Sequence, residues 1–466
     1  MLRQLAVLVL GAAISAAQVG DRVYTADQTS NTVSVIDPVT NKLLGVIRLG
    51  EDVPVALSPL YRGELLVHGL GFSPDHKTLA VVSIGSNSIT LIDTETNAIQ
   101  GKVYVGRSPH EAFFRPDGRE LWAAVRGENY VSVIDPKRRK EVRRVETSNG
   151  PGMILFRPDG RYAFVPSSFT PEMDVIDTAT YQVIARLKQE SPFSPNLAVD
   201  QDEVWFTLKD SGKTQIVSAQ PPFRTKAVLE TGPITNHVTL VNNSRGQFAY
   251  ITVGGRDQVL VYRRERGLRP RLVATVMTGD LPHGIWAGRD GGRVYVGLEN
   301  GDAVQAIDTS TNQVIATIPV GQLPQALVYV QDTVVSERGN ANLKPLGSAA
   351  EAWHIELTPP NGTASKAHAS VSVNSLGLID NLQIAATGLE AGKRYTLFLV
   401  RTSGREELTI FQVGIGGTAI AQTFGPLKRI VADSRVEMMT LEVRSSDNSA
   451  ELVLQQSTPI LKRPEQ

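Results

Sequence analysis

A short motif ending in Ile-Asp recurs along the chain and constrains the fold more than any other feature. Its aspartates include Asp93, Asp135 and Asp177, and each step between them is 42 residues. Each repeat contains short runs of β-branched and apolar residues separated by Pro, Gly, Asp and Asn, which is typical of four antiparallel strands joined by turns. A sheet of this size cannot bury its faces alone, so the copies must pack on one another. The period predicts the blades of a β-propeller.

The repeats predict seven blades in a ring that both ends of the chain close. The first copy begins at Arg22 with its second strand, and the last segment, Leu323–Val330, is a first strand without followers. We expect these two segments to pair, because pairing removes the exposed edge of an open array. The six other blades are expected to begin near residues 66, 108, 150, 194, 235 and 281.

Three repeats carry closely related sequences. They are Thr-Val-Ser-Val-Ile-Asp-Pro-Val-Thr-Asn-Lys from Thr32, Ile-Thr-Leu-Ile-Asp-Thr-Glu-Thr-Asn from Ile89 and Asp-Thr-Ser-Thr-Asn-Gln-Val-Ile from Asp308. These motifs resemble the exported YVTN-repeat β-propeller family over about residues 22 to 331. That family is similar to surface-layer repeat proteins and, more distantly, to propeller lactonases and streptogramin-type lyases. The resemblance therefore implies the propeller fold and points to lactone or lyase chemistry among distant relatives.

The 42-residue period ends after Ser348, and eight further strand-like runs follow. Several short strands without this period predict a separate β-sandwich. The sequence Gly-Leu-Glu-Ala-Gly-Lys-Arg-Tyr-Thr-Leu-Phe-Leu-Val from Gly388 resembles the exported domain of anti-sigma-K factors, which implies an interaction or packing domain. The predicted division is a signal peptide (1–17), a seven-bladed propeller (18–339), a linker (340–347) and an all-β sandwich (348–466).

The first residues predict export to the periplasm, the cell surface or the medium. Arg3 supplies a positive charge, and Leu5–Ala17 is an apolar run too short to span a bilayer comfortably. Small residues precede Gln18, where we expect cleavage, and no later run is long enough to predict an integral membrane span. The 47 basic residues balance the 47 acidic ones, so no net field favours nucleic acid. The chain has no cysteine, which excludes disulfides, thiolate metal sites and a cysteine nucleophile.

Aligning the blades on their first strands places seven residues around one mouth of the central channel. Four of them are histidines, although the whole chain has only seven histidines. In order around the ring the residues are Gln325, His68, His110, Gly152, Asn196, His237 and His283. Imidazole is the commonest transition-metal ligand and can act as an acid or base near neutral pH. The ring could therefore hold a divalent transition metal through its four histidines, or bind an anion when it is protonated.

Two other interpretations of the ring stay open. The histidines could be structural, each bonding the backbone of a neighbouring blade or a channel water, and a seven-fold ring could be too wide for a metal. Alternatively, the distant resemblance to streptogramin-type lyases implies catalysis by a channel-mouth His and Glu with a divalent metal. Glu111 directly follows His110, although the wider lyase pattern is absent.

Loops after several second strands carry further charged residues, which could face the same mouth or the opposite one. They are Arg126 and Glu128, Lys209 and Asp210, and Glu299 and Asp302. The leading prediction is an exported binding scaffold for an unknown small molecule, metal or protein. Beside the histidines, the predicted ligand-binding residues are Gln325, Asn196, Glu111 and Arg126. The alternatives are a metal- or small-molecule-binding protein and a lactonase-like or lyase-like enzyme.

Overall fold

The computed structural model describes residues 20–51, 58–333, 337–350, 352–361, 363–376, 379–427, 439–448 and 450–457. The predicted signal peptide, residues 1–17, lies outside the described residues. Within the described ranges, no helix has the length and apolar character needed to cross a membrane. The helical elements named there are short 3-10 turns at Gly254–Arg256, Arg289–Gly291, Glu337–Asn340 and Gly347–Ala350.

Seven four-stranded antiparallel sheets form a propeller, which confirms the predicted fold. The strands of the first three blades and the first half of the fourth are β1 (Arg22–Asp27), β2 (Thr32–Asp37), β3 (Lys42–Arg48), β4 (Val67–Phe72), β5 (Thr78–Ser83), β6 (Ser88–Asp93), β7 (Ile99–Tyr104), β8 (Pro109–Phe114), β9 (Leu121–Val125), β10 (Tyr130–Asp135), β11 (Lys140–Glu146), β12 (Leu155–Phe156) and β13 (Tyr162–Pro166).

The remaining propeller strands complete blades four to seven and then return to the first blade. They are β14 (Glu172–Asp177), β15 (Gln182–Lys188), β16 (Leu197–Val199), β17 (Glu203–Leu208), β18 (Lys213–Ser218), β19 (Thr225–Glu230), β20 (Thr235–Asn243), β21 (Gly246–Val253), β22 (Gln258–Arg264), β23 (Arg271–Met277), β24 (Pro282–Ala287), β25 (Arg293–Leu298), β26 (Ala303–Asp308), β27 (Gln313–Pro319) and β28 (Pro324–Val330). The first blade has the order β28-β1-β2-β3, so its inner strand comes from the end of the repeat region.

The pairing of β28 with β1 closes the ring as the sequence predicts. The two strands are antiparallel, with Val23 opposite Tyr329 and Thr25 opposite Leu327. The repeated aspartates stabilise the turns inside each blade. Their carboxylates accept hydrogen bonds from backbone amides of the turn. Asp135, for example, accepts the amide of Lys137 at 3.0 Å.

The chain after the propeller forms one eight-stranded sheet that nearly closes into a barrel, rather than the two packed sheets of the predicted sandwich. Its order is β33-β32-β35-β36-β29-β30-β31-β34. The strands are β29 (Ala352–Thr358), β30 (His368–Ser375), β31 (Asp380–Thr387), β32 (Arg394–Arg401), β33 (Gly404–Gln412), β34 (Ala419–Gly425), β35 (Thr440–Ser445) and β36 (Leu452–Gln456). One connected sheet can enclose its own core, so no second sheet is required.

Strands β30 and β31 are buried on both faces, which joins this barrel-like domain to the propeller. The apolar face of β31, including Leu382 and Ile384, lies in the core of the domain. Side chains on the opposite faces bond propeller loops. Asn374 donates to Asp302 Oδ2 at 2.7 Å, and Gln383 donates to Glu299 Oε1 at 2.8 Å.

A buried carboxylate stabilises the closed ring at the start of the first blade. The Asp21 side chain accepts two bonds from Arg289, at 2.7 and 3.1 Å, and one from the Tyr329 hydroxyl at 2.5 Å. Burial alone would raise the pKa of Asp21, but the bonds from Arg289, Tyr329 and the Asp332 amide outweigh burial and lower it. The carboxylate thus bonds residues from blade seven and from the closing strand.

We expect Asp21→Asn to lower the free energy of unfolding by about 1–3 kcal/mol, because it removes the charge from a buried carboxylate that accepts charge-assisted bonds. The matched control is Asp332→Asn, which removes an exposed partner of the same arginine and should change the free energy by less than about 1 kcal/mol. Urea unfolding measures both. Equal effects of the two substitutions would contradict the assigned role.

Candidate functional site

The four ring histidines lie where the inner strands β4, β8, β20 and β24 begin. At each of these places the pairing with the next strand shifts register: between Val67 and Gly69, for example, and between Pro109 and Glu111. Such an irregularity turns a side chain out of the regular alternation of a strand. The structure therefore brings the four imidazoles together, as the repeat alignment predicts.

The four imidazoles form an arc with two close pairs. Ring centroids are 4.3 Å apart for His68 and His110 and 4.6 Å apart for His237 and His283. The two pairs meet where His68 and His283 approach to 6.4 Å, edge to face. All four residues are only 3–6% exposed, so the cluster is shielded from solvent.

Backbone carbonyls of neighbouring blades orient two of the histidines. His110 Nδ1 lies 2.5 Å from the Gly152 carbonyl, and His283 Nδ1 lies 3.1 Å from that of Gln325. A carbonyl can only accept, so Nδ1 carries the proton in each ring and Nε2 keeps its lone pair. The predicted structural role is therefore present in these two residues, and it leaves each Nε2 available as a ligand or base.

Burial lowers the pKa of all four histidines well below the usual range. Nearby positive charges lower the pKa further: Arg126 acts on His68, His110 and His283. Lys209 acts on His68, His237 and His283. The four imidazoles are consequently neutral at pH 7.

Glu111 occupies the ring-adjacent position that is glycine in blades two and seven. The inner strands there read His-Gly, as in His68-Gly69, whereas β8 reads His-Glu. The Glu111 carboxyl lies against Gly69, and a Cβ added at Gly69 would stand 2.8 Å from Glu111 Oε2. Glu111 is 1% exposed, and neither carboxyl oxygen accepts a hydrogen bond of good geometry among the described residues. Burial raises its pKa well above the usual range, and the nearby backbone amide of Leu70 opposes the shift.

His68, His110 and Glu111 bring three ligand atoms within 4.8 Å of one another. His68 Nδ1, which also lacks a partner in the described part of the chain, is 4.0 Å from Glu111 Oε1. Zinc bonds of about 2.0–2.1 Å at tetrahedral angles place ligand atoms about 3.3–3.4 Å apart. Side-chain rotations that close the widest gap by somewhat more than about 1 Å would therefore let one ion bind all three residues. Two His and one Glu with a vacant fourth position form a set that catalytic zinc sites use.

The other half of the arc holds a similar group of residues, but its ligand-type atoms lie further apart. His283 Nε2 is 3.9 Å from Glu299 Oε2, and both this oxygen and His237 Nε2 lack partners in the described ranges. Where the structure describes the chain, the first group alone brings three ligand-type residues this close. The geometry therefore divides the four predicted histidine ligands into two pairs, and places one pair beside Glu111 in the tighter group of ligand-type atoms.

The charged loops of blades three, five and seven lie at the same mouth as the histidines; the sequence left this mouth and the opposite one as alternatives. Arg126 lies 4.8 Å from the ring centroid of Phe193, and burial lowers its pKa to about 10. Burial also lowers the pKa of Lys209, with Glu299 opposing the shift. Glu128 instead forms a surface ion pair with Arg107.

The structure uses Asn196 and Gln325, two predicted ligand-binding residues, for internal contacts. Asn196 Oδ1 accepts the Val238 amide at 2.9 Å, and its Nδ2 lies 3.2 Å from Met153 Sδ. Gln325 offers its backbone carbonyl to His283. Both side chains are buried at the mouth; the Asn196 side chain bonds within the ring, whereas the contact of Gln325 with His283 is made by its backbone.

The sequence did not reveal that the barrel-like domain covers the histidine mouth. Gln383 donates to Glu299 Oε1 at 2.8 Å and to Asn300 Oδ1 at 2.9 Å, and Asn300 donates to Ser370 Oγ at 2.9 Å. The one sequence feature that could have indicated this contact is the alternation of small polar with apolar residues in β30 and β31. That pattern is equally typical of a strand with one face in water.

Residues 100–314, somewhat less than half of the chain, match the family model described as lactonase, 7-bladed beta-propeller. None of the curated proteins compared with the chain matches it significantly.

Three solved structures show similarity at the level of the fold. Periplasmic gluconolactonase PpgL of Pseudomonas aeruginosa is 18% identical with a TM-score of 0.53, over 66% of this chain and 99% of its own. A protein of unknown function from Desulfotomaculum acetoxidans is 10% identical with a TM-score of 0.57, over 67% and 99%. Hydrazine synthase of Kuenenia stuttgartiensis is 18% identical with a TM-score of 0.50, over 57% and 90%.

We expect the buried cluster to make stability depend on pH between pH 5 and 6.5. Unfolding releases the four histidines from burial, so each takes up a proton below its unfolded pKa of about 6.5 and stability falls as the pH falls. Glu111 acts oppositely, because it is protonated when folded and ionised when unfolded in this range. His237→Gln should therefore lower the slope by about one proton, and Glu111→Gln should raise it by about one.

The measurement is urea unfolding of metal-free protein at several pH values, with the slope of the free energy of unfolding against pH as the readout. Each proton contributes about 1.4 kcal/mol per pH unit. Changes of the same sign in the two variants would contradict the assignment of neutral imidazoles beside a protonated carboxyl group.

Proposed function

We propose that this protein hydrolyses lactones with a divalent transition metal held by His68, His110 and Glu111. One observation carries the proposal: three buried ligand-type residues converge, and neither His68 Nδ1 nor either Glu111 oxygen has a hydrogen bond of good geometry within the described residues. Buried polar atoms are almost always satisfied, so unpaired ones indicate a missing ligand, water or ion. A cation would accept lone pairs from all three residues at once.

The protonation states favour such an ion at neutral pH. Both imidazoles are neutral, so neither must lose a proton before it binds. Glu111 must release one, and the negative charge that this creates would be balanced by the metal inside a dry site. The positive charge of the nearby Arg126 repels a bound cation. The electrostatic attraction that holds the ion must therefore come mainly from the negative charge of Glu111.

The other half of the arc is suited to hold water for the reaction. His283 Nε2 and Glu299 Oε2 are 3.9 Å apart and both accept hydrogen bonds, so one water molecule could donate to each. Gln383 fixes the second Glu299 oxygen from the barrel-like domain. Arg126 and Lys209 would stabilise the negative charge of the carboxylate product.

A divalent metal held by His68, His110 and Glu111 would supply Lewis-acid activation of the lactone carbonyl or of water. The Glu299 side of the arc accepts the proton of the water as its oxygen adds to the carbonyl carbon. The ring C–O bond then breaks, the leaving alkoxide takes up that proton from the Glu299 side, and the product is an open hydroxy acid. Water is the only co-reactant.

Two further observations support the lactone class. Residues 100–314 match a lactonase family model, and one similar fold is a periplasmic gluconolactonase. We also propose that the protein is exported, from the predicted signal peptide. Sequencing the N-terminus of mature protein from the native host tests this, since a start at Met1 would contradict it and a start at Gln18 would support it.

A second candidate is metal-free binding of a small anion. The observation that favours it is the pair of half-buried cations, Arg126 and Lys209, beside neutral imidazoles that can donate or accept hydrogen bonds. Titration with gluconate would then give binding in metal-free protein that Lys209→Met weakens.

We expect purified protein, loaded with zinc, manganese or cobalt and then dialysed, to retain about one ion per chain. His110→Ala and Glu111→Gln should each lose it, and hydrolysis of δ-valerolactone should fall by at least about a hundredfold, as for a lost metal ligand. Elemental analysis and acid release at constant pH measure the two effects. Titration calorimetry in buffers of different ionisation enthalpy should show about one proton released per ion at pH 7, from Glu111.

The matched control is His76→Asn, which removes an imidazole from a turn in blade two. His76 has a φ of 61°, a conformation that asparagine tolerates. This variant should keep the ion and the activity. Failure of the wild type to retain any of the three ions, or retention by Glu111→Gln with unchanged hydrolysis, would overturn the proposal.

A further inference from the structure

A cavity of about 210 Å³ lies in the central channel next to the histidine cluster. Its walls are mainly apolar side chains of the inner strands, among them Val199, Leu240 and Trp286. Trp286 stacks on Phe113 with ring centroids 6.3 Å apart and planes inclined by 8°. The channel therefore offers an aromatic wall beside an aliphatic one.

Most polar side chains of the cavity lie where it meets the candidate site: Glu111, Asn196 and His237 line that end, and Thr239 lies further along β20. Glu111 and His237 each have a buried polar atom without a well-formed hydrogen bond in the described part of the chain. The cavity is thus amphipathic, with most hydrogen-bonding side chains near the proposed metal and mainly apolar side chains along the walls.

Burial shows which end of the cavity is open. The lining residues closest to the histidines are almost fully buried: Glu111, Met153, Leu197 and Val238. Two positions further along the same strands the side chains of Leu155, Val199 and Leu240 are partly exposed, as is Trp286 on β24. Exposure thus increases away from the histidines, whereas the barrel-like domain covers the histidine end.

We infer that this cavity binds an apolar substituent, preferably an aryl group, of the lactone substrate, so that hydrophobic lactones are preferred over sugar lactones. The inference rests on the proposed function, because the reacting ester group would lie beside Glu111 and the metal. It specifies the substrate class that the proposed function leaves open.

The size and chemistry of the cavity support an aryl group. An apolar cavity of about 150 Å³ in another protein binds benzene, so about 210 Å³ accommodates a phenyl ring. The ring would add to the stack of Trp286 and Phe113, since aromatic side chains favour offset or edge contacts with one another. The hydroxyl groups of a sugar lactone would instead face hydrocarbon and lose hydrogen bonds to water.

The experiment compares 6-phenyl-δ-valerolactone with D-glucono-δ-lactone on the full chain. In metal-free protein the phenyl lactone should bind at least 10-fold more tightly by calorimetry, since burying a phenyl group favours binding by this factor or more. In metal-loaded protein its kcat/KM should be higher by a similar factor.

Cavity-filling variants test the location. Val199→Phe should weaken binding of the phenyl lactone at least 10-fold without changing metal content, and Leu240→Trp should do the same. The matched control for the first is Val142→Phe on strand β11, where Val142 is exposed and lies far out on its blade. The variant His110→Ala should lose the metal and keep the binding.

The outcomes separate this inference from the proposed function. Binding of the phenyl lactone that Val199→Phe abolishes, without any hydrolysis, supports the cavity and rejects the hydrolase. Hydrolysis with preference for gluconolactone supports the proposed hydrolase and overturns the inference. Phenyl-lactone binding that neither cavity variant changes also overturns the inference. Absence of both binding and hydrolysis rejects both.

Discussion

The pairing of β28 with β1 is the constraint on which the rest of the structure depends. It joins residues about 300 positions apart in the chain, such as Val23 and Tyr329, and so converts a row of sheets into a ring. Only in a closed ring do the inner strands of blades two, three, six and seven start at one opening. The approach of His68 to His283 across the closing blade is the direct result. The bonds of Asp21 to Arg289 and Tyr329 hold this closure at one end.

The site combines four neutral imidazoles with the protonated carboxyl group of Glu111, and burial accounts for both protonation states. Desolvation disfavours charge, so it lowers the pKa of the imidazoles and raises that of Glu111. The glycine at position 69 leaves the space that the Glu111 carboxyl occupies. A side chain that costs free energy to bury, and has no partner in the described residues, indicates a function that stability alone does not explain.

The repeat period predicted the blades, the ring closure and the positions of the four histidines, because all of these follow from one alignment of equivalent residues. The ring order also predicted two adjacent pairs, His68 with His110 and His237 with His283, and the ring contacts agree. It could not show that the Glu111 carboxyl lies beside the first pair, since this depends on the local register shift between Pro109 and Glu111. Nor could it place Gln383 over Glu299, because the C-terminal domain lies outside the repeat and its polar strand faces resemble solvent-exposed ones. The use of Asn196 for internal bonds likewise depends on three-dimensional contacts with Val238.

A channel covered at one end has a consequence for the order in which molecules move. With the barrel-like domain fixed over the histidines by bonds such as Asn374 to Asp302, a ligand that uses the open end must enter and depart by the same route. The end of the ligand that reaches the histidines must enter the channel first and leave it last. Substituents behind that group can extend towards the outside, so the channel limits the width of a ligand more strictly than its length.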